Sequence, residues 1–206
     1  MIGPFLDNWL ETVVKPRVRP LTHVAYEKVI RLHHLKPAFE KKRTVRLLPA
    51  EVQKLLNAKT AEGLSPRSVR EIRGVLRTAL NQALRWGLVS RNVAPLVDPP
   101  KVEAHEGTAL TVAQARAFLA ACRGDRLEAL YVLALSLGLR QGEALGIRWQ
   151  DVDTESAVLR LRMQVQRIDG ALHLVELKTK KSRRTLPLLP FAAAALREHR
   201  SRQIVE

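Results

Sequence analysis

Two adjacent prolines near the middle of the chain, Pro99 and Pro100, constrain its fold more than any other feature of the sequence. A proline removes a backbone donor and restricts the residue before it, so helices end at such a pair. The polar stretch 101–107 follows directly. The sequence therefore predicts two domains, residues 1–99 and 108–206, joined by a linker over residues 100–107.

Apolar residues before the proline pair recur at helical spacing, which predicts a helical first domain. The strongest signal is a Ser65-Pro66 start followed by one apolar stripe, with Gly87 as the stop. The stripe consists of Val69, Ile72, Leu76, Ala79, Leu80 and Ala83. Three further helices are predicted: around residues 5–13 and ended by Pro16 and Pro20, from Thr22 to Lys36 and ended by Pro37, and over residues 49–59.

The second domain begins as helices and then changes to the two-residue alternation of β-strands. Helices are predicted over residues 111–122, 127–137, 141–146 and 191–203, the first opened by a capping box of Thr111 and Gln114. Strands are predicted over residues 157–168, 172–177 and 185–188, with a hairpin turn at Asp169-Gly170. The expected fold is therefore mainly α with a small β-sheet.

The charge of the chain indicates an anionic partner. With 35 Lys+Arg against 20 Asp+Glu, the formal net charge is +15, and nucleic acid is the commonest partner of so basic a protein. A membrane partner is not expected, because no apolar run approaches the roughly 20 residues of a spanning helix and no long basic amphipathic helix is present. Cys122 alone cannot form a disulfide framework or a cysteine-rich zinc site, so a cytoplasmic protein is expected.

The stretch LSLGLRQGEALGIRWQDVD, residues 135–153, is the most informative segment for chemistry. Gly138 allows a tight turn after an apolar helix, and Arg140 then stands at the start of a short helix with Glu143 one turn further on. A guanidinium in that place can bind a phosphate through two parallel hydrogen bonds. A surface ion pair between Arg140 and Glu143 is the alternative interpretation, and it stays open on the residues alone.

Two other basic groups are candidates for nucleic-acid contact. The segment LKTKKSRRTLP places five cations in a turn between strands, where a hairpin tip can enter a groove and a lysine can donate a proton. These cations are Lys178, Lys180, Lys181, Arg183 and Arg184. The second group consists of Arg67, Arg70, Arg73 and Arg77. These arginines lie off the apolar stripe of the helix that begins at Pro66, where they can follow a DNA backbone. A solvated turn and a solvated helix face are the respective alternatives.

The residues GLRQGEALGIRWQDVD closely resemble the first catalytic-arginine motif of the tyrosine recombinases, the phage-integrase family, and LKTKKSRRTLPL resembles that family's β-hairpin lysine motif. The preceding ALTVAQARAFLAAC resembles the first helix of the family's catalytic domain, and SPRSVREIRGVLRTALNQALRWGLVSRNVA resembles its core-binding domain. The resemblance covers nearly all of the chain. It implies a helical, SAM-like core-binding domain followed by the N-terminal half of an α+β catalytic domain.

The resemblance also implies a role for each matching residue. Arg140 would contact the scissile phosphate and stabilise the pentavalent transition state, and Glu143 would support Arg140. Lys178 would protonate the leaving 5′ oxygen, with Lys180 as the second choice. The expected DNA-binding residues are Arg67, Arg70, Arg73, Arg77, Lys180, Lys181 and Arg183. The family cuts duplex DNA through a 3′-phosphotyrosyl intermediate, so the resemblance implies no metal, no cofactor and no small-molecule substrate. It also implies a homo-oligomer, often a tetramer, on the DNA.

The sequence departs from the family pattern after the lysine motif. The family has a second arginine box, His-x-x-Arg, and then a tyrosine nucleophile beyond the hairpin, whereas Tyr26 and Tyr131 both precede it. His199 and Arg202 spell His-x-x-Arg, but directly after the third strand and without apolar flanks, which favours an exposed basic helix end.

We therefore expect a chain, ending before the second box and the nucleophile, that binds DNA without cleaving it. A non-catalytic remnant or competitor of a full-length integrase is the alternative. An unrelated RNA-binding protein is disfavoured, because only 4% of the residues are aromatic and no stacking cluster is evident.

Overall fold

The computed structural model describes residues 1–103 and 107–205, with the side chains of Leu32, His33 and Lys180 left out of the description. The chain divides into two compact units, residues 1–105 and 106–206, each with its own apolar core. The division lies in the predicted linker, of which residues 104–106 fall outside the described residues.

The regular elements described in the first unit are all helices. They are α1 (Ile2–Trp9), α2 (Pro20–Glu27), α3 (Leu35–Phe39), α4 (Pro49–Ala61) and α5 (Pro66–Arg85). Two π-helical segments, Leu10–Val14 and Lys28–His33, continue α1 and α2. The helical expectation for this part of the chain is therefore confirmed.

Helix α5 forms where the sequence predicts it, and for the predicted reasons. The Ser65 hydroxyl accepts a hydrogen bond from the Ser68 amide at 3.2 Å, and Pro66 occupies the first turn. All six residues of the apolar stripe are buried, together with Val75. The helix ends at Trp86 and Gly87, and Gly87 has a φ of +69° that a side chain would disfavour.

The second helix departs from its predicted bounds at both ends. It begins at Pro20 rather than at Thr22, because a proline suits the first helical turn, where its missing N–H is not needed. The helical path then breaks at His34, whose φ of −137° and ψ of −63° lie outside the helical region. Pro37 does not stop a helix, because it lies within the first turn of α3.

Ion pairs around Arg31 join the N-terminal helix of the first unit to the helical segment that follows it. The guanidinium contacts Asp7 at 3.1 Å, Glu11 at 2.9 Å and Glu27 at 2.6 Å, and Lys36 reaches the other Asp7 oxygen at 2.8 Å. Burial alone would raise the pKa of Asp7, but the hydrogen bonds from Lys36 and Arg31 outweigh this effect and hold the pKa below its ordinary value of 3.8.

The second unit combines four helices and five strands among its described residues. The helices are α6 (Val112–Ala121), α7 (Glu128–Leu137), α8 (Gln141–Leu145) and α9 (Pro190–Val205). The strands are β1 (Val152–Asp153), β2 (Val158–Leu161), β3 (Met163–Ile168), β4 (Ala171–Glu176) and β5 (Arg184–Pro187). The capping box of Thr111 and Gln114 forms at the start of α6 as predicted.

The strands form two antiparallel sheets rather than the one that the sequence suggests. The order β1-β2-β5 makes the first sheet, and β3-β4 is a separate hairpin that turns at Asp169-Gly170. The predicted strand over residues 157–168 is interrupted at Arg162, whose carbonyl accepts from the Leu177 amide at 3.1 Å. Since β5 pairs with β2, the chain crosses from one sheet to the other between Leu177 and Arg184.

This topology corrects the placement of the basic segment. The sequence suggests a hairpin tip for residues 178–184, but the hairpin tip is Asp169-Gly170, and the basic segment lies at the opposite end, after β4. Behind the sheets, Leu159, Leu161 and Leu196 pack into the core of the unit. The fold as a whole is mainly α with small antiparallel sheets, as expected from the sequence.

We expect acid to weaken the first unit through Asp7. A carboxylate whose pKa is lowered by folding stabilises the fold above its unfolded pKa, and this stabilisation is lost as the pH falls below 3.8 through the folded value. Asp7→Asn should lower the free energy of unfolding by about 1 kcal/mol at neutral pH, a modest effect because solvent partly screens these ion pairs. It should also make the free energy of unfolding less dependent on pH in the acid range. Denaturant unfolding between neutral pH and about pH 3 measures both effects.

Asp98→Asn is the matched control, because Asp98 is exposed in the same unit. An Asp7→Asn protein that keeps the full stability and acid sensitivity of the parent chain would contradict this assignment.

Candidate active site

Arg140 is placed at the surface by a sharp turn between two helices. Helix α7 ends at Gly138, whose φ of +60° and ψ of +38° lie in the left-handed region. Arg140 follows in an extended conformation and directly precedes α8. Its side chain is 78% exposed. The predicted turn and short helix therefore present this guanidinium to solvent.

A buried carboxylate holds Arg140 in this place. The Glu143 side chain is only 2% exposed, and its Oε1 accepts from the Arg140 guanidinium at 3.0 Å. Its Oε2 accepts from the Arg140 backbone amide at 3.2 Å. One buried glutamate thus binds both the side chain and the backbone of Arg140.

Arg184, the first residue of β5, completes the cluster from a distant part of the chain. Its guanidinium donates to Glu143 Oε2 at 3.0 Å, and also to the Ser182 carbonyl at 3.1 Å. The Glu143 carboxylate therefore lies between two guanidinium groups, one exposed and one only 31% exposed. We call Arg140, Glu143 and Arg184 the arginine cluster.

The electrostatics of the arginine cluster keep Glu143 ionised. Burial by itself would raise the pKa of Glu143, because removing a carboxylate from water disfavours its charged form. The hydrogen bond from Arg184 and those from the Arg140 backbone and side chain outweigh this effect, so the pKa lies below its ordinary value. The cluster holds two positive charges against one negative charge, which leaves Arg140 available for an anion.

Two glycines let α8 lie directly on strand β3. A Cβ atom built on Gly142 would lie 2.8 Å from the Val165 carbonyl oxygen, and one on Gly146 would lie 2.5 Å from the Gln164 Cα. Both distances are too short for a side chain, and the contacts are with backbone atoms that cannot easily move. The strand therefore sets the position of the helix that carries Arg140 and Glu143.

The basic segment between β4 and β5 is mostly solvated. Lys178 and Lys181 are exposed, and Arg183 is paired with Glu176. Thr179 and Ser182 bond to each other at 2.8 Å and shape the turn. The side chain of Lys180, the second choice for the proton donor, lies outside the described residues.

The row of arginines on α5 divides into two kinds. Arg67, Arg70 and Arg77 are exposed. Arg73 is half-buried and donates to the carbonyls of Ala94 and Pro95 at 3.0 and 3.2 Å. Arg73 thus fastens the end of the first unit onto α5 in addition to any contact with an external anion.

The remaining candidates of the sequence analysis lie in packed surroundings. Tyr26 stacks on Trp9 at 5.9 Å between ring centroids, and Tyr131 meets the edge of Phe118 at 5.6 Å. His199 lies against the ring of Trp149, and Arg202 donates to the Asp125 carbonyl at 3.3 Å.

The sequence names Arg184 only as one of five candidate cations and does not predict that it binds Glu143. It stands last in a run of five cations, and nothing in the run distinguishes it from its neighbours. The available signal was its place directly before the predicted strand 185–188, since a side chain at a strand end is held by the sheet and can reach a fixed partner.

Within residues 1–103 and 107–205, no group of three or more His, Cys, Asp or Glu side chains is arranged to hold a metal ion. In the same residues, no helix is both long enough and apolar enough to cross a bilayer.

Residues 108–206 match the family model described as "Phage integrase family", and residues 2–60 match "Phage integrase, N-terminal SAM-like domain". The chain belongs to the phage integrase family of tyrosine recombinases. The matched regions of this tyrosine recombinase chain include the arginine cluster in the second unit and α1 to most of α4 in the first.

Relatives of known name support the same assignment. A XerC-like tyrosine recombinase of Caldanaerobacter subterraneus is 28% identical over 98% of this chain and 56% of its own length. An integrase of Streptomyces ambofaciens is 31% identical over 96% of this chain and 51% of its own. The chain thus spans about half the length of these relatives.

Solved structures share the fold. The Tn1549 transposon integrase in complex with a circular intermediate DNA gives a TM-score of 0.79 at 20% identity, over 96% of this chain and 64% of that one. A lambda integrase dimer bound to a COC′ core site gives 0.66 at 19% identity, over 85% of this chain and 62% of that one.

We expect Gly142→Ala and Gly146→Ala to displace α8 from β3. Each added methyl group would overlap backbone atoms of Gln164 or Val165, which should cost about 1–3 kcal/mol of stability and move Arg140 from its position. Denaturant unfolding measures the first effect, and DNA affinity measures the second. Gly74→Ala on α5 is the control, because its Cβ would meet nothing within 4 Å and should be neutral or stabilising. Equal free energies of unfolding and equal DNA affinities in the three variants would contradict the close approach of α8 and β3.

Proposed function

We propose that this chain binds duplex DNA as part of a site-specific tyrosine recombinase, with Arg140 contacting the phosphate at which strands are exchanged. The exposed guanidinium of Arg140, held by a buried glutamate, carries this proposal. Support for the recombinase class comes from family membership and from relatives named as recombinases and integrases.

The geometry favours phosphate binding over a surface ion pair. In a surface pair both partners are solvated and contribute little to stability. Here the carboxylate is buried and already receives Arg184, so the Arg140 side chain donates through one terminal nitrogen only. Its other N–H groups have no partner within the described residues and face solvent, where they can donate to phosphate oxygens.

The proposed chemistry is phosphoryl transfer with electrostatic stabilisation. Charge develops on the non-bridging oxygens as a nucleophile attacks phosphorus, and a guanidinium held in advance stabilises that charge without reorganising. Glu143 positions Arg140 and stays ionised. Lys178 is the proposed proton donor to the leaving oxygen; it is exposed on the segment that leads to Arg184. Lys180 stays the second choice.

The second candidate function is DNA binding without strand cleavage, in which no residue of this chain attacks the phosphate. The chain has two tyrosines, and both pack against aromatic rings within helices, Tyr26 on Trp9 and Tyr131 on Phe118. Both tyrosines therefore have a packing role in their own unit, and neither is proposed as a nucleophile. A chain of this kind would occupy recombination sites or compete with a complete recombinase.

The proposed partners follow from the same family. Duplex DNA is the proposed substrate, and the exposed arginines of α5, Arg67, Arg70 and Arg77, would add sequence-independent contacts to its backbone. Assembly as a homo-oligomer on DNA is also proposed, since a lambda integrase tetramer bound to a Holliday junction shares the fold with a TM-score of 0.66 at 16% identity.

We expect Arg140→Ala to weaken duplex binding at a modest cost in stability. The buried Glu143 loses one donor but keeps the Arg140 amide and Arg184, so the free energy of unfolding should fall by about 1–2 kcal/mol. The slope of log Kd against log salt should fall by about 0.9 for one lost phosphate contact. Fluorescence anisotropy over a salt series measures the slope. Arg197→Ala is the matched control, because Arg197 is an exposed arginine on α9 of the same unit.

A nicked suicide substrate distinguishes the two candidate functions. A covalent protein–DNA adduct would overturn the non-catalytic alternative and our expectation that Tyr26 and Tyr131 are not nucleophiles. Binding that is insensitive to Arg140→Ala would overturn the assignment of the phosphate contact.

A further inference from the structure

A second concentration of arginines lies in the same unit, beside the arginine cluster. A cleft of about 760 Å³ opens between the β1-β2-β5 sheet and the foot of the β3-β4 hairpin. Its charged lining consists of Arg148, Arg160, Arg162, Arg183, Arg184 and Glu176. Arginines thus outnumber carboxylates five to one on the surface of the cleft.

The alternation of one short strand creates this surface. Leu159 and Leu161 are 0% and 2% exposed and point into the core, so Arg160 between them points away from it. Arg162 follows the last residue of β2 and is exposed. Cross-strand pairing places Thr185 opposite Arg160, and Arg183 comes directly before the β5 residue that faces Leu161.

The arginines of the cleft differ in how well they are neutralised. Arg148 is paired with Asp151 at 2.7 Å, Arg183 with Glu176, and Arg184 with Glu143.

Two arginines remain available in the cleft. Arg160 has only a distant partner, Asp153 at 3.9 Å. The exposed Arg162 side chain has no ion-pair or hydrogen-bond partner in the part of the chain that the structure describes. Among the described residues that line the cleft, Arg160 and Arg162 are therefore the guanidinium groups least neutralised by a carboxylate.

Such a convergence of like charges is unfavourable in the free protein. Like charges placed side by side on neighbouring strands destabilise a sheet, and a concave surface focuses their potential. An arginine that served the fold alone would be expected to have a carboxylate at close range. Arg162 has none among the described residues, so removing it should leave the fold as stable as before or more stable.

We propose that this cleft is a second phosphate-binding site, in which Arg160 and Arg162 hold the backbone of the same DNA duplex that Arg140 contacts. Guanidinium groups bind phosphodiester oxygens in pairs of hydrogen bonds. The cleft adjoins the arginine cluster, since Arg184 lines it and also binds Glu143. This inference rests on the proposed function, because it takes duplex DNA as the partner.

The shape and charge of the cleft favour the phosphodiester backbone of DNA over a small anionic ligand. It is wide and open, and its arginines come from several separate segments, which suits a continuous row of phosphates more than one enclosed group. Contacts of this kind add affinity without reading the base sequence.

The test compares Arg160→Ala/Arg162→Ala with the charge-matched pair Arg123→Ala/Arg197→Ala, both of whose residues are exposed outside the cleft. Fluorescence anisotropy with a duplex oligonucleotide over a salt series, and thermal unfolding, are measured for each. The cleft variant should bind at least about fivefold more weakly, with a salt slope smaller by about 1.8 for two lost contacts. The control pair should lose clearly less affinity.

Arg162→Ala alone keeps the test informative if the double variant folds poorly. It should weaken binding while its unfolding temperature stays equal to that of the parent chain or rises. An unchanged salt slope in a folded cleft variant would overturn the inference, as would an equal loss in the control pair. A larger loss on duplex RNA or single-stranded DNA than on duplex DNA would also overturn it. A parent chain that does not bind duplex DNA would overturn the proposed function itself, which separates the two failures.

Discussion

The carboxylate of Glu143 is the interaction on which the second unit depends. Burying a carboxylate until it is 2% exposed costs several kcal/mol of desolvation free energy, which hydrogen bonds and ion pairs must offset. It is bonded here by the Arg140 amide, the Arg140 guanidinium and Arg184. Because these groups come from the start of α8 and from β5, one charge joins the short helix to the first sheet. Removing any partner would leave part of that cost uncompensated.

In the second unit, different residues stabilise the fold and present positive charge to solvent. Glycines bring α8 against β3, and the leucines of β2 fill the core behind the sheet. The positive charges that these elements carry are left on the outside. Arg140 lies beyond the buried glutamate, Arg160 lies on the outer face of β2, and Arg162 lies just after this strand. A surface built in this way can lose an arginine without losing its fold, which is why binding and stability can be measured as separate properties.

The sequence predicts the local features of this molecule well. Helix α5 has its cap, its stripe and its terminal glycine within one continuous segment, and Arg140 and Glu143 are only three residues apart. The features that it does not predict are non-local. Arg184 lies 41 residues from Glu143, and the interruption at Arg162 depends on a hydrogen bond to Leu177. No pattern of hydrophobicity or charge encodes which of the five basic residues between Lys178 and Arg184 will meet a buried carboxylate.

Since Arg184 and Arg140 share the Glu143 carboxylate, the proposed function implies that Arg184 affects DNA binding through Glu143 and Arg140. A double-mutant cycle with Arg140→Ala and Arg184→Gln, measured as the free energy of duplex binding, tests it most directly. If Arg184 positions Arg140, the loss from Arg140→Ala should shrink in the Arg184→Gln background, with a coupling of about 1 kcal/mol or more. Strictly additive losses in two folded variants would contradict the claim, because they would mean that each arginine meets DNA independently.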